Sequence, residues 1–257
     1  MRYYIADLHF FHGALNSHMD RRGFETVEAM NEAMVQRWNR KVRKNDEVVI
    51  IGDLSWGNEA QTNELLRNLN GKLYLIQGNH DHVVLKRDVD RSRFQWIKPY
   101  EELHDNNRKV ILCHYPIMFY NGQYQLDKKG NPRTYMLYGH VHDTRDQRLV
   151  ELFQQITRRT AVTDVQGNER LIPCNMINCF CMYSDYEPLS LDEWIRCDRK
   201  RREGTDRISL PPGVPDTEGE IRRGLQKASW TEPSVPPDGT GREPVQEAGR
   251  PENVRTC

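Results

Sequence analysis

The chain has 257 residues, 37% hydrophobic and 29% charged, with a mean hydropathy of −0.82 and a formal net charge of zero. Balanced charge gives no whole-chain electrostatic footprint for nucleic acid, although a local basic groove is not excluded by it. No apolar run reaches membrane-spanning length, and the early charges of MRYYIADLHF do not fit a signal peptide, so the expectation is a cytoplasmic protein with no membrane partner.

Along the chain, short apolar runs recur, each followed by polar residues. YYIA precedes Asp7 and His9, EVVII precedes Gly52 and Asp53, KLYLI leads into QGNHDH, KVILC precedes His114, and TYMLY precedes Gly139 and His140. Their length and their Val, Ile and Tyr content suit buried strands. Between the first two runs, Phe24, Val27, Met30, Met34, Trp38 and Val42 step by three or four residues, predicting a helix with one buried stripe. A second helix is predicted from near Asn58 through Leu65, Leu66 and Leu69, stopping at Asn70-Gly71. Strands alternating with helices predict an α/β sheet that is at least partly parallel.

Beyond His142, RLVELFQQIT reads as a short helix, and TAVTDV, ERLIPC and MINCFCMY as strands of a second sheet, with a turn at Gln166-Gly167-Asn168. Cys174, Cys179 and Cys181 lack zinc-ribbon spacing and read as buried apolar thiols. After Arg196 come eight of the 13 prolines and seven of the 17 glycines, with Trp230 the only aromatic residue. Such a segment cannot bury enough apolar surface to offset its ordering entropy. The expected organisation is a domain over 1–195 and a disordered tail over 196–257, with a transient helix near 220–229.

In open α/β sheets, ligands collect beyond the carboxyl ends of strands, where all five polar clusters lie. The set is Asp7-x-His9, Gly52-Asp53, Gly78-Asn79-His80-Asp81, His114 and Gly139-His140-Val141-His142. A lone Asp-x-His or a lone His after a strand is more often structural; the weight is in the set. It offers mixed oxygen and nitrogen donors without thiolates, which suits Mn, Fe, Zn or similar ions better than calcium or magnesium. Asp7, His9, Asp53, Asn79, His114, His140 and His142 are too many donors for one tetrahedral ion. They suffice for two ions sharing a carboxylate, and two ions about 3.5–4 Å apart suit phosphoryl transfer.

In this order and spacing the five motifs resemble the calcineurin-like metallophosphoesterase superfamily, most closely its small single-domain bacterial and phage members. The resemblance covers residues 1 to about 195, including YEPLSLDEW at 186–194. It implies an α/β/β/α sandwich of two packed mixed sheets flanked by helices. It implies that Asp7, His9 and His142 hold one divalent ion, that Asn79, His114 and His140 hold a second, and that Asp53 bridges them. Manganese is the favoured metal, with Fe, Zn, Ni and Co as alternatives. A hydroxide shared by the ions would be the nucleophile. His80 would face the substrate with Asn79 and stabilise or protonate the leaving oxygen, and Asp81 would orient the loop or a neighbouring His. His12, three residues after a proposed ligand, has two equal readings, a substrate contact at the border of the cleft or a packing or surface role.

The implied activity is hydrolysis of phosphomonoesters or phosphodiesters of small molecules or nucleotides. A nuclease and a nucleotide-lipid pyrophosphatase use the same core, and a non-catalytic binding module is the alternative from another class. The protein phosphatases of the superfamily supply a phosphate-gripping arginine where this chain reads Gly52-Asp53-Leu54-Ser55-Trp56-Gly57, leaving Arg133, Arg145 or Arg148 for that task. Cys113 lacks the arginine-closed phosphate loop a cysteine phosphatase needs. Phe10, Phe11, Tyr115, Phe119 and Tyr120 flank the ligand turns and read mainly as core.

Overall fold

The computed structural model describes residues 1–163, 166–167, 169–171 and 174–203. Four strands, β1 (Arg2–Ile5), β2 (Glu47–Ile51), β3 (Lys72–Ile76) and β4 (Phe94–Lys98), pair in that order, all parallel. The crossovers are helices α1 (Val27–Lys41) and α2 (Glu59–Asn68). Thr26 caps α1 by accepting from the Ala29 N–H, and Asn58 and Gln61 form a reciprocal capping box on α2. Then follow β5 (Tyr100–Asp105), β6 (Arg108–Cys113), β7 (Thr134–Tyr138), α3 (Arg145–Arg159), the hairpin β8 (Ala161–Thr163) and β9 (Glu169–Leu171), β10 (Met176–Asn178) and α4 (Leu191–Glu203). The second sheet has the order β10-β7-β6-β5, parallel except for β5 against β6.

Strand alternation builds the layers, because successive side chains point to opposite faces. Ile5, Val48, Ile50, Leu73 and Leu75 face outward onto Met30, Met34 and Trp38 of α1 and Leu65 and Leu66 of α2. Tyr4, Val49, Ile51 and Ile76 face inward onto Val110, Leu112, Leu137 and Ile177 of the second sheet. On that sheet's far side Ile111, Met136, Tyr138 and Met176 pack with Val150 of α3. The described residues therefore form the expected α/β/β/α sandwich, with the first sheet purely parallel and only the second mixed. The two sheets are tied where Ala6 N donates to Cys179 O and Cys181 N to Ala6 O.

The second sheet is built differently from the expectation. TAVTDV and ERLIPC contribute a separate hairpin, and β5, a charged strand without an apolar run, supplies the antiparallel edge. Cys174, Cys179 and Cys181 are buried thiols as expected, and the cysteines of the described residues are free.

The expected boundary at 195 falls inside α4, which continues to Glu203. Trp194 Nε1 donates to Tyr4 O, and Arg201 joins the buried Glu151 of α3 to Asp198. Polar composition misplaced the boundary because this turn of α4 is held by ion pairs. Residues 204–257, and the transient helix expected there, lie outside the described residues. Ending the chain after residue 195 should leave Glu151 buried without its partner, at about 3 kcal/mol. The expected result in a thermal melt is a drop of about 2–4 °C per kcal/mol.

Candidate metal centre

The strand ends reach their common cleft through unusual backbone. Among the described residues, Asp7, His9, Asp53, His140 and His142 take φ values of 56°, 46°, 57°, 70° and 47°. Left-handed non-glycine residues are uncommon, cost about 1–3 kcal/mol each, and cluster at functional sites. Neighbouring hydrogen bonds fix them here: Asp7 N to Gly52 O, His9 N to Asp53 O, and His140 N to Asp7 Oδ1. The chains also pass too close for side chains: a Cβ on Gly78 would lie 2.2 Å from Asp53 Oδ1, and one on Gly52 2.2 Å from His114 Nδ1.

All seven predicted donors converge. Ligand atoms of Asp7, His9 and His142 lie within 4.8 Å of one another, as do those of Asp7, Asp53 and His114. His9 Nε2 is 3.2 Å from His142 Nε2. Asn79 Oδ1 is 2.9 Å from both His114 Nε2 and His140 Nδ1. Asp53 Oδ2 lies between the two sides, 3.4 Å from His9 Nε2 and 3.4 Å from His114 Nε2.

This donor set fits cations. His114 Nδ1 is 2.9 Å from the Ile51 carbonyl, which can only accept, so the Nε2 lone pair of a neutral His114 faces the Asn79 oxygen. His142 Nδ1 likewise donates to Asp20 Oδ1 at 2.8 Å, turning its Nε2 lone pair toward His9. Acceptors facing acceptors need a shared proton or a cation between them. Asp7 Oδ2 and His9 Nδ1 are also buried without a hydrogen-bond partner. The titration shifts have the same origin. Burial pushes the Asp7 carboxyl up to about 6 and the His9 imidazole down to about 3. Burial opposes charge on Asp53 and His114 too, but their mutual contact prevails, setting Asp53 near 2 and His114 near 9.

The other predicted residues divide. His80 is half-buried; its N–H donates to Asp53 Oδ1 at 2.8 Å and its ring lies between Trp56, at 4.8 Å, and His9, at 5.6 Å. His12 packs on Trp56 at 4.5 Å, on the same side. Asp81 is fully buried and accepts from the N–H groups of Asp53, Leu54 and Gly78, so it orients the loops and has no exposure to a substrate. Phe10 and Tyr120 are core, but Tyr115 is 48% exposed with its ring 4.5 Å from His140, and Phe119 is also exposed, contrary to the core reading. Burial raises the Cys113 thiol, the opposite of what a nucleophile needs.

With that geometry in place, the comparisons bear on identity. The family model described as calcineurin-like phosphoesterase matches residues 3–206. The chain belongs to the calcineurin-like phosphoesterase family. An uncharacterized protein of Methanocaldococcus jannaschii is 31% identical over 142 residues, 54% of this chain and 68% of that protein. A protein of unknown function from Aquifex aeolicus shares the fold, with a TM-score of 0.52 at 20% identity over 76% of this chain and 98% of that one. A Vps29 mutant from Entamoeba histolytica is more remote, with a TM-score of 0.30 at 18% identity over 68% of this chain and 73% of that one.

Three residues of this calcineurin-like site were missed in the sequence. Asp20 and Arg22 stand behind His142 and the β1 loop, and Trp56 walls His80. Trp56 sat inside the quoted Gly52–Gly57 turn and could have been noted as a bulky residue beside a ligand. Asp20 and Arg22 have no spacing relation to any ligand. The close approach of Gly78 gives a structural test: Gly78→Ala should cost about 1–3 kcal/mol by overpacking and displace Asp53, as read by thermal melting and a structure of the variant.

Proposed function

We propose that this chain is a dinuclear metal-dependent phosphoesterase that hydrolyses phosphomonoesters or phosphodiesters of small molecules, nucleotides among them. The observation that carries the reading is Asp53 Oδ2, equidistant from His9 on one side and His114 on the other. Asp7, His9 and His142 would hold one ion, Asn79, His114 and His140 the other, and Asp53 both. When bound, divalent ions supply charge neutralisation for phosphoryl oxygens and lower the pKa of coordinated water; manganese is the favoured identity.

The chain's own residues do the rest. His80, on the turn that carries Asn79 and with its ring between Trp56 and His9, would donate a proton to the leaving oxygen. Asp81 keeps that turn and Asp53 in register through three backbone N–H groups. Trp56, 50% exposed beside His80, and Tyr115, 48% exposed beside His140, offer flat apolar walls for an aromatic part of the substrate, and His12 extends the Trp56 side.

Purified protein with added manganese should release nitrophenol from mono- or bis-ester substrates, and a chelator should stop it. His80→Ala should lower turnover about 10²–10⁴-fold with both ions retained, whereas Asp53→Asn should lose metal as well. Activity persisting at negligible metal content would refute the proposal, and a metal-loaded protein silent on a broad ester panel would favour a binding module.

Loading also has a proton signature. An ion needs Asp7 ionised and His114 neutral, so it must displace protons from groups that titrate near 6 and near 9 in the metal-free chain. Apparent affinity should therefore weaken as pH falls through both values. Manganese titration in weak buffer should release protons at neutral pH; metal uptake without proton release would contradict the assignment of His114.

A further inference from the structure

The segment between β1 and α1 has a geometry that neither element requires. Leu15–Met19 forms a π-helical turn, Asp20 follows as its C-cap, and Arg21 takes a left-handed φ of 54°. π-Helical turns are rare and frequently accompany functional sites. The effect of this one is to turn Asp20 and Arg22 inward together. The Arg22 side chain is 0% exposed and that of Asp20 8%.

The side-chain hydrogen bonds of this pair to oxygen lead to the candidate centre, while Arg22 Nη1 also lies 4.0 Å from Met34 Sδ. Asp20 Oδ1 accepts from His142 Nδ1 at 2.8 Å. Asp20 Oδ2 accepts from Arg22 Nε at 3.1 Å and from Nη2 at 2.9 Å. Arg22 Nη2 then donates to Asp7 O at 3.0 Å, and Nη1 to Leu8 O at 2.6 Å. Those two carbonyls belong to the peptides joining Asp7 to His9, the residues with left-handed backbone. A buried ion pair is poor evidence for stability, since desolvation offsets much of the attraction. What this pair does supply is orientation. Among the described residues the other predicted imidazole ligands lack a hydrogen-bonded carboxylate behind them: His114 Nδ1 meets a backbone carbonyl, His140 Nδ1 meets Asn79, and His9 Nδ1 has no hydrogen-bond partner.

We propose that Asp20 and Arg22 are positioning residues for one ion, the one assigned to Asp7, His9 and His142. Asp20 fixes the His142 tautomer with Nε2 open toward His9, and Arg22 fixes the two peptides that aim Asp7 and His9. Neither touches substrate. The inference rests on the two-ion reading above. It adds that the sides of the centre are built unequally, with a carboxylate–imidazole relay on one side only.

The test is manganese titration of the full-length chain, with calorimetry giving stoichiometry and site affinities, on wild type, Asp20→Asn and Asp20→Ala. The near-isosteric Asp20→Asn keeps an acceptor oxygen and guards against misfolding of the alanine variant. The expected result is a loss of about 10–100-fold in affinity for one ion, smaller in Asp20→Asn than in Asp20→Ala, with affinity for the other ion unchanged even where the chelated Asp20→Ala protein melts lower because Arg22 is left buried without its carboxylate. Two ions bound by Asp20→Ala with wild-type affinities would overturn the inference while leaving the two-ion reading intact. Equal weakening of both ions in Asp20→Asn and Asp20→Ala alike would overturn it too, by showing general structural damage. A wild type that binds no ion would instead sink the reading on which the inference rests.

Discussion

The Asp81 carboxylate ties the turn after β2 to the turn after β3 by accepting from the N–H groups of Asp53, Leu54 and Gly78. It is fully buried, and burial raises its pKa while those three donors oppose the rise. Such a group is tolerated only when hydrogen bonds satisfy it. Here they fix the distance between two loops. The same contact brings Gly78 so near Asp53 that no side chain fits between them. The placement of Asp53, and the two-sided character of the centre built around it, depends on this one tie.

Around that tie the site accumulates features that a stability-driven fold avoids: left-handed backbone at five donors, a buried carboxylate oxygen and a buried ring nitrogen without partners, and imidazole lone pairs aimed at other acceptors. Each is unfavourable alone, and together they share one remedy, positive charge in the cleft. Protons supply it in the metal-free chain, which is why His114 holds its proton to about 9. A divalent cation would supply it by taking up the nitrogen lone pairs in place of protons. The sandwich underneath tolerates the strain because three apolar layers and the β1–β10 tie hold the strand ends independently of the loops.

Strands β1, β2 and β3 of the first sheet and the ligand constellation were legible because both follow from simple patterns, whereas β4 was not among the expected strands. Val48 through Ile51 alternate between the two faces, Met30, Met34 and Trp38 recur at helical spacing, and each ligand lies shortly after the end of a strand. What was not legible lacked such a period. The β5 strand, YEELHD, carries its charges at a sheet edge and has no apolar run. Helix α3 inverts the usual rule: Gln147, Glu151 and Gln154 are buried while Leu149 is 42% and Ile156 44% exposed. Its polar face is satisfied internally, with Gln147 bonded to Tyr138, Asn178 and Glu151, and Gln154 to Met176, so counting apolar residues points to the wrong side. Asp20 and Arg22 act through hydrogen bonds to backbone and to one ring, and no sequence interval encodes that.

The absence of an arginine in the Gly52–Gly57 turn bears on what the proposed enzyme would accept. Of the cations suggested as substitutes, Arg133 precedes β7 at the end opposite His140, bonded through its backbone to Lys109 and Gln125. Arg145 and Arg148 are exposed on the first turns of α3, and Arg22 is turned to backbone carbonyls rather than the cleft. With no arginine supplied by that turn, phosphate charge would be met first by the ions and by His80, which gives little grip on the phosphate beyond the reacting oxygens. Discrimination would have to come from the rest of the substrate. The surfaces available for it are Trp56 and Tyr115, whose half-exposed rings border the histidines on either side of the cleft. Flat rings reward stacking rather than charge recognition, so such a site would favour an ester with an aromatic leaving group or base over an equally charged aliphatic one.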